Sequence, residues 1–173
     1  LVCHCGPPSW SKPYFKVDPF NGGGSERHNA YQDDPVVARF GIAEEAGLLY
    51  DMAGLGPEDI DFIEAYDDYP VMVALELEAI GFSQPGEAIK LVREKDLTVE
   101  GDMPVNTSGG MLSLGQAGAG GGFVHVTEAI AQVTGRPLGR RVPNAEIGVV
   151  SCLGTANYDR GVCTAAAILR RGG

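Results

Sequence analysis

Seven of the fourteen residues from Gly109 to Gly122 are glycine, and a helical run begins directly after them, with Phe123, Val126, Ile130 and Val133 expected on one face. Glycine has no Cβ, so such a segment can turn through left-handed backbone and lie against another chain segment. Three uses of it are weighed. A dinucleotide site wants Gly-x-Gly-x-x-Gly between the first strand and its helix; here Gly118 and Gly120 run into Phe123, and no early strand precedes them. A phosphate-cradling loop wants Gly-Lys-Ser/Thr, and this stretch holds no lysine. Spacing alone therefore favours close backbone packing, against another segment or an active-site wall.

The elements around the loop order themselves by their punctuation. Asp34-Pro35 predicts a helix start, with Val36, Phe40, Ala43, Leu49 and Met52 inward and Glu44 and Glu45 outward; Gly54 and Gly56 end it. A strand is predicted over 60–67, running into Tyr66-Asp67-Asp68-Tyr69, and Pro70 opens a second helix that Gly81 stops. Residues 82–105 are polar and read as a surface excursion. Ile147–Cys152 and Val162–Leu169 read as an antiparallel terminal pair. Residues 1–35, with Gly22-Gly23-Gly24, form an irregular opening segment of strand fragment and loop, and 36–173 form one α/β domain.

Charge narrows the partners. The chain's 13 Lys and Arg against 23 Asp and Glu leave a formal net charge of −10, which argues against nucleic acid. The apolar runs fall short of a membrane span, and Leu1 onward shows no signal peptide, so a cytoplasmic protein is expected. Four cysteines, at 3, 5, 152 and 163, are too few for a disulfide framework and read as reduced thiols. Cys3-His4-Cys5 lacks the spacing and second ligand pair of a zinc site.

Candidate chemistry sits at loop ends. Tyr66-Asp67-Asp68-Tyr69 falls at a strand's C-terminal end, where open α/β sheets hold their ligands, although acids there also serve as ordinary caps. Cys152 ends an apolar run, a setting that usually makes a thiol inert. Cys163, inside the last strand, has a stronger claim to inertness. His125 reads as a surface or satisfied residue, and His4 and His28 carry no signal.

Taken in order, Ala53-Gly54-Leu55-Gly56-Pro57-Glu58-Asp59-Ile60-Asp61, Glu64-Ala65-Tyr66-Asp67, Leu75-Glu76, Gly81-Phe82, Val105-Asn106-Thr107-Ser108-Gly109-Gly110, Gly115 and His125-Val126-Thr127-Glu128-Ala129 resemble the C-terminal half of the thiolase superfamily, in its sterol-carrier and lipid-transfer branch. The resemblance covers about Val36 to Arg170. It implies a layered, mixed five-stranded sheet with helices on both faces, stacked in the complete protein on an N-terminal half that brings the nucleophilic cysteine, and a homodimer formed through that missing half. It implies a coenzyme A thioester as substrate with no separate cofactor. An OB-fold acyl-CoA-binding protein is a possible further partner.

The family's three catalytic loops are altered. Tyr66-Asp67-Asp68-Tyr69 stands where ordinary thiolases carry Asn-Glu-Ala-Phe; the related steroid side-chain retro-aldolases carry a tyrosine at the position of Tyr66. Gly115-Gln116-Ala117 stands for Gly-His-Pro, and Cys152-Leu153-Gly154-Thr155-Ala156 for Cys-x-Gly-Gly-Gly. The resemblance thus implies retro-aldol cleavage of a β-hydroxyacyl-CoA. Tyr66 would move the proton, Asp67 orient it and Gln116 donate to the thioester oxygen, with Cys152, Gly110 and Gly154 lining the pocket. Two alternatives stay open: a thiolase-type acyltransferase with Cys152 as base, and a partner module that does no chemistry.

Overall fold

The computed structural model describes residues 14–18, 42–153, 156–157, 160–161 and 164–172. The expectations for Cys3-His4-Cys5, His28, the helix start at Asp34-Pro35, Gly154 and Cys163 fall outside them.

Among the described residues the chain runs β1 (Tyr14–Asp18), α1 (Ile42–Ala53), β2 (Phe62–Ala65), α2 (Pro70–Ala79), α3 (Ala88–Glu94), α4 (Gly110–Leu114), α5 (Phe123–Val133), β3 (Ile147–Leu153), β4 (Ala156–Asn157), β5 (Arg160–Gly161) and β6 (Thr164–Arg170). The main sheet has the order β1-β6-β3-β2. β2 is parallel to β3, with Ala65 opposite Ser151, while β6 is antiparallel to both β3 and β1. The predicted terminal pair forms.

Helices cover both faces of the sheet. Ile63, Ala65, Val149, Ala166 and Ile168 pack with Leu49, Tyr50, Leu77 and Ile80 of the α1–α2 layer. Phe62, Val150, Ala167 and Leu169 point the other way, onto Ala129 and Val133 of α5. The period-2 pattern of β2 is real, but both of its faces are covered and all four of its residues are buried.

Two expectations need correction. The main sheet has four strands among the described residues, not five. Beside β2 a fifth segment of the chain makes one parallel bridge, Ile63 with Val105, held by Ile63 N donating to Pro104 O (2.9 Å) and Asn106 N donating to Ile63 O (2.8 Å). It goes no further because Asn106 adopts φ 50° and turns away, and its side-chain Oδ1 takes the Ala65 N–H (2.8 Å) that a strand carbonyl would have taken. Residues 82–105 are likewise more than a surface excursion: they contain α3, and their end touches the sheet edge.

Candidate active site

β2 and β3 run parallel and pair as far as Ala65 opposite Ser151, with Tyr66 and Cys152 the next residues along each. Pro70 at the first position of α2 starts the next helix, which carries Glu76 back beneath them. Glu76 is buried; its Oε2 accepts from the Tyr66 backbone N–H (2.9 Å) and from the Ser151 hydroxyl. One carboxylate therefore ties the two strand ends together.

The Tyr66 ring is half-buried, and its phenol oxygen accepts from Gln116 Nε2 at 3.1 Å. Because Gln116 is the donor, the phenol's own hydrogen is left to point elsewhere. Burial pushes the Tyr66 phenol above its ordinary value, and the Asp68 charge adds to this; the Gln116 hydrogen bond opposes it, and Cys152 and Glu76 push further up. Tyr66 is thus a neutral phenol near pH 7. Cys152 is pushed up to about 12, by burial first and by Glu76 second, and its sulfur lies 3.7 Å from the Gly122 carbonyl. A Cβ on Gly122 would sit 3.2 Å from that sulfur, so this glycine packs closely.

Asp67 does not reach the Tyr66 hydroxyl, whose hydrogen-bond partner among the described residues is Gln116 alone. Its Oδ1 accepts from Met111 N (2.8 Å) and its Oδ2 from Leu112 N (3.4 Å), capping the first turn of α4. Gly110 is buried against it: at φ 62°, a Cβ there would come 2.1 Å from Asp67 Oδ2. Asp67 and Gly110 together thus hold the glycine loop whose next turn presents Gln116.

The inward face of α5 matches the expected one only in part: Val133 is buried and Val126 packs partly against the core, but the other two positions do not face inward. Phe123 is 72% exposed and Ile130 is 42% exposed, while His125, Glu128, Ala129 and Gln132 are buried. Phe123 and Ile130 stay outside because a polar network lies beneath that part of the helix. Thr107 Oγ1 stands 2.7 Å from Glu64 Oε1 and 2.9 Å from Glu128 Oε1, and Gln132 Nε2 donates to Glu128 Oε1 (2.7 Å). His125 sits between Glu64 Oε2 (3.5 Å from Nδ1) and Asp67 Oδ1 (3.0 Å from Nε2), though neither ring nitrogen meets hydrogen-bond geometry. Burial raises Glu64, and its His125 and Thr107 contacts oppose that.

The sequence alone points to no task for Glu64, Glu76 or Thr107, and His125, expected as a surface or satisfied residue, is buried with neither ring nitrogen in hydrogen-bond geometry. The available signal was an acid set among apolar neighbours, as Glu76 is between Leu75 and Leu77. Among the described residues, no group of three or more His, Cys, Asp or Glu side chains is arranged to hold a metal ion.

The family model for the thiolase C-terminal domain-like fold matches residues 23–167. The chain belongs to this family. It is 34% identical over 129 residues to sterol carrier protein 2 of Rattus norvegicus, covering 73% of this chain and 24% of the relative. It is 34% identical over 121 residues to a steroid side-chain-cleaving aldolase of Thermomonospora curvata (70% and 28%) and 33% identical over 105 residues to an acetyl-CoA acetyltransferase of Methanothermobacter thermautotrophicus (61% and 27%). The chain spans about a quarter of the length of these curated relatives. The solved Ltp2-ChsH2(DUF35) aldolase superposes with a TM-score of 0.68 at 23% identity, over 91% of this chain and 38% of that one, and so shares the fold. No helix among the described residues is long and apolar enough to cross a membrane.

Proposed function

We propose that this thiolase-like domain serves an aldolase that cleaves β-hydroxyacyl-CoA, with Tyr66 as its proton-transfer residue. In that reaction the β-hydroxyl loses its proton and becomes a carbonyl. The Cα–Cβ bond breaks, its electron pair enters the thioester as an enolate, and a proton returns to Cα. The observation that carries the reading is the neutral Tyr66 phenol, held by Gln116 with its own hydrogen unspent at the open end of two parallel strands. A neutral phenol at this place suits the second proton step: it gives its hydrogen to Cα, the β-hydroxyl proton leaves to solvent water at the open strand ends, and the phenolate then regains a proton from that water. The second hydrogen on the Gln116 amide would steady the thioester oxygen. Cys152 and Gly154 would line the pocket, and Asp67 and Gly110 would keep the Gln116 loop in position.

The acyltransferase reading needs Cys152 to exchange its proton readily, and a buried thiol pushed up to about 12 is poorly suited to that. The likeness to a steroid side-chain-cleaving aldolase and the fold of the Ltp2-ChsH2(DUF35) aldolase favour cleavage, and the latter's title suggests a DUF35-type partner. An N-terminal thiolase half would cover the outer side of α4 and α5, where Leu112, Leu114, Phe123 and Ile130 are exposed.

The test is to incubate the assembled protein with a β-hydroxyacyl-CoA and identify the products. A carbonyl fragment together with the shortened acyl-CoA is expected, with no acyl group retained on the protein. A covalent acyl-enzyme, or no turnover of any β-hydroxyacyl-CoA, would overturn the reading.

A further inference from the structure

We infer that Glu76 is a proton-responsive positioning residue: its carboxylate clamps the strand end bearing Tyr66 to the strand end bearing Cys152, and its charge is felt by both side chains.

The geometry is specific. A side chain from α2 reaches the C-terminal ends of two neighbouring parallel strands and accepts from one group on each, the Tyr66 amide and the Ser151 hydroxyl. Tyr66 and Cys152 are the next side chains beyond Ala65 and Ser151, which face each other in the register. Among the described residues, the titratable groups that face Glu76 are Tyr66 and Asp68 from the β2–α2 loop, Cys152 from β3 and His125 from α5, with no Lys or Arg. Burial, the largest influence, raises Glu76 to about 7, against the Ser151 and Tyr66 hydrogen bonds that stabilise its ionised form. A carboxylate so placed takes up and releases its proton near neutral pH.

Two consequences follow for the site. Above about pH 7 the ionised carboxylate makes charge-assisted bonds to both strand ends and keeps Tyr66 and Cys152 protonated. Below that the bonds weaken and the negative charge disappears. Resting on the aldolase reading, the first state is the active one, because it fixes Tyr66 in place with its proton on.

The test reads Cys152 directly and needs no turnover. The rate of iodoacetamide alkylation at Cys152 is followed across pH in the intact protein, by mass spectrometry of the Cys152 peptide. Thiolate formation alone gives a rate rising tenfold per pH unit. The wild type is expected to show a flattening near pH 7, where Glu76 acquires its charge and holds the thiol protonated. Glu76→Gln is expected to lose the flattening, matching the wild type below about pH 6 and exceeding it at least about threefold above pH 8. Ser151→Ala, which keeps the carboxylate but removes one donor to it, should move the flattening to higher pH. An unbroken tenfold-per-unit line for the wild type would overturn the inference, even if Glu76→Gln failed to fold, as would a Glu76→Gln offset equal at every pH. A shifted alkylation profile without β-hydroxyacyl-CoA cleavage would remove only the aldolase reading.

Discussion

Asp67 and Glu76 are both buried carboxylates, and among the described residues neither has a lysine or arginine partner. Both accept from backbone amides, Glu76 also from a hydroxyl, and His125 Nε2 stands 3.0 Å from Asp67 Oδ1; hydrogen bonds of this kind are how an acid tolerates burial. For Glu76 this has a stability consequence. Its folded value lies above its ordinary one, so the native state holds that proton more tightly than the unfolded chain does. The contribution is fully present below about pH 4.5 and lost as pH rises to about 7, amounting to about 3 kcal/mol. Glu76→Gln lacks that loss, so denaturant unfolding should show the variant gaining on the wild type by up to that amount between these two pH values. A constant difference across the interval would contradict it. Gly110→Ala should cost about 1–3 kcal/mol, because it adds a Cβ at φ 62° in the space of the Asp67 carboxylate. At this scale Gln116 stood out only through the family resemblance, while punctuation placed Tyr66, Asp67 and Cys152 at strand ends. It did not show that Asp67 faces the α4 amides, because side-chain direction at a strand end is set by the neighbouring loop.

Among the elements, β3 is the hub, hydrogen-bonded to β2 on one side and to β6 on the other. Gly148 lies opposite Phe62 in this ladder, and a Cβ there would stand 2.2 Å from the buried Phe62 ring. Gly148→Ala should therefore cost about 1–3 kcal/mol, read as a lower urea midpoint; a midpoint like the wild type's would show that the ring can move aside. The ends of α1 and α2 were legible because Gly54 (φ 67°), Pro70 and Gly81 (φ 93°) bound them by backbone necessity, but the buried face of α1 was not: Leu49 is buried as expected, whereas Ala43 and Met52 are exposed. The inward face of α5 was not, because hydrophobic periodicity assumes that the buried side is apolar. Here His125, Glu128 and Gln132 recur at spacings of three and four just as a core stripe does, and they meet Glu64 and Thr107 from distant parts of the chain. The short fifth sheet position was hidden for a similar reason: an asparagine side chain, not a strand, completes the hydrogen bonding of Ala65.

For the whole molecule, one apolar surface the described residues leave uncovered is the outer side of α4 and α5, where Phe123 and Ile130 stand exposed above a buried polar network. Replacing both with glutamate should change the stability of this domain by no more than about 0.5 kcal/mol, since neither side chain contributes to its core. The same change should prevent stable association with an N-terminal thiolase half, read by size-exclusion chromatography of the co-expressed halves. Unchanged co-elution would place that half elsewhere. The layered α/β architecture was legible from element order alone, while the proton chemistry required knowing which acids are buried. The most direct measurement for the account as a whole is the rate of β-hydroxyacyl-CoA cleavage by Tyr66→Phe in the assembled protein. A phenylalanine keeps the ring and removes the hydroxyl, so a fall of about 10²–10³ in kcat with little change in KM is predicted; cleavage at the wild-type rate would contradict the central claim.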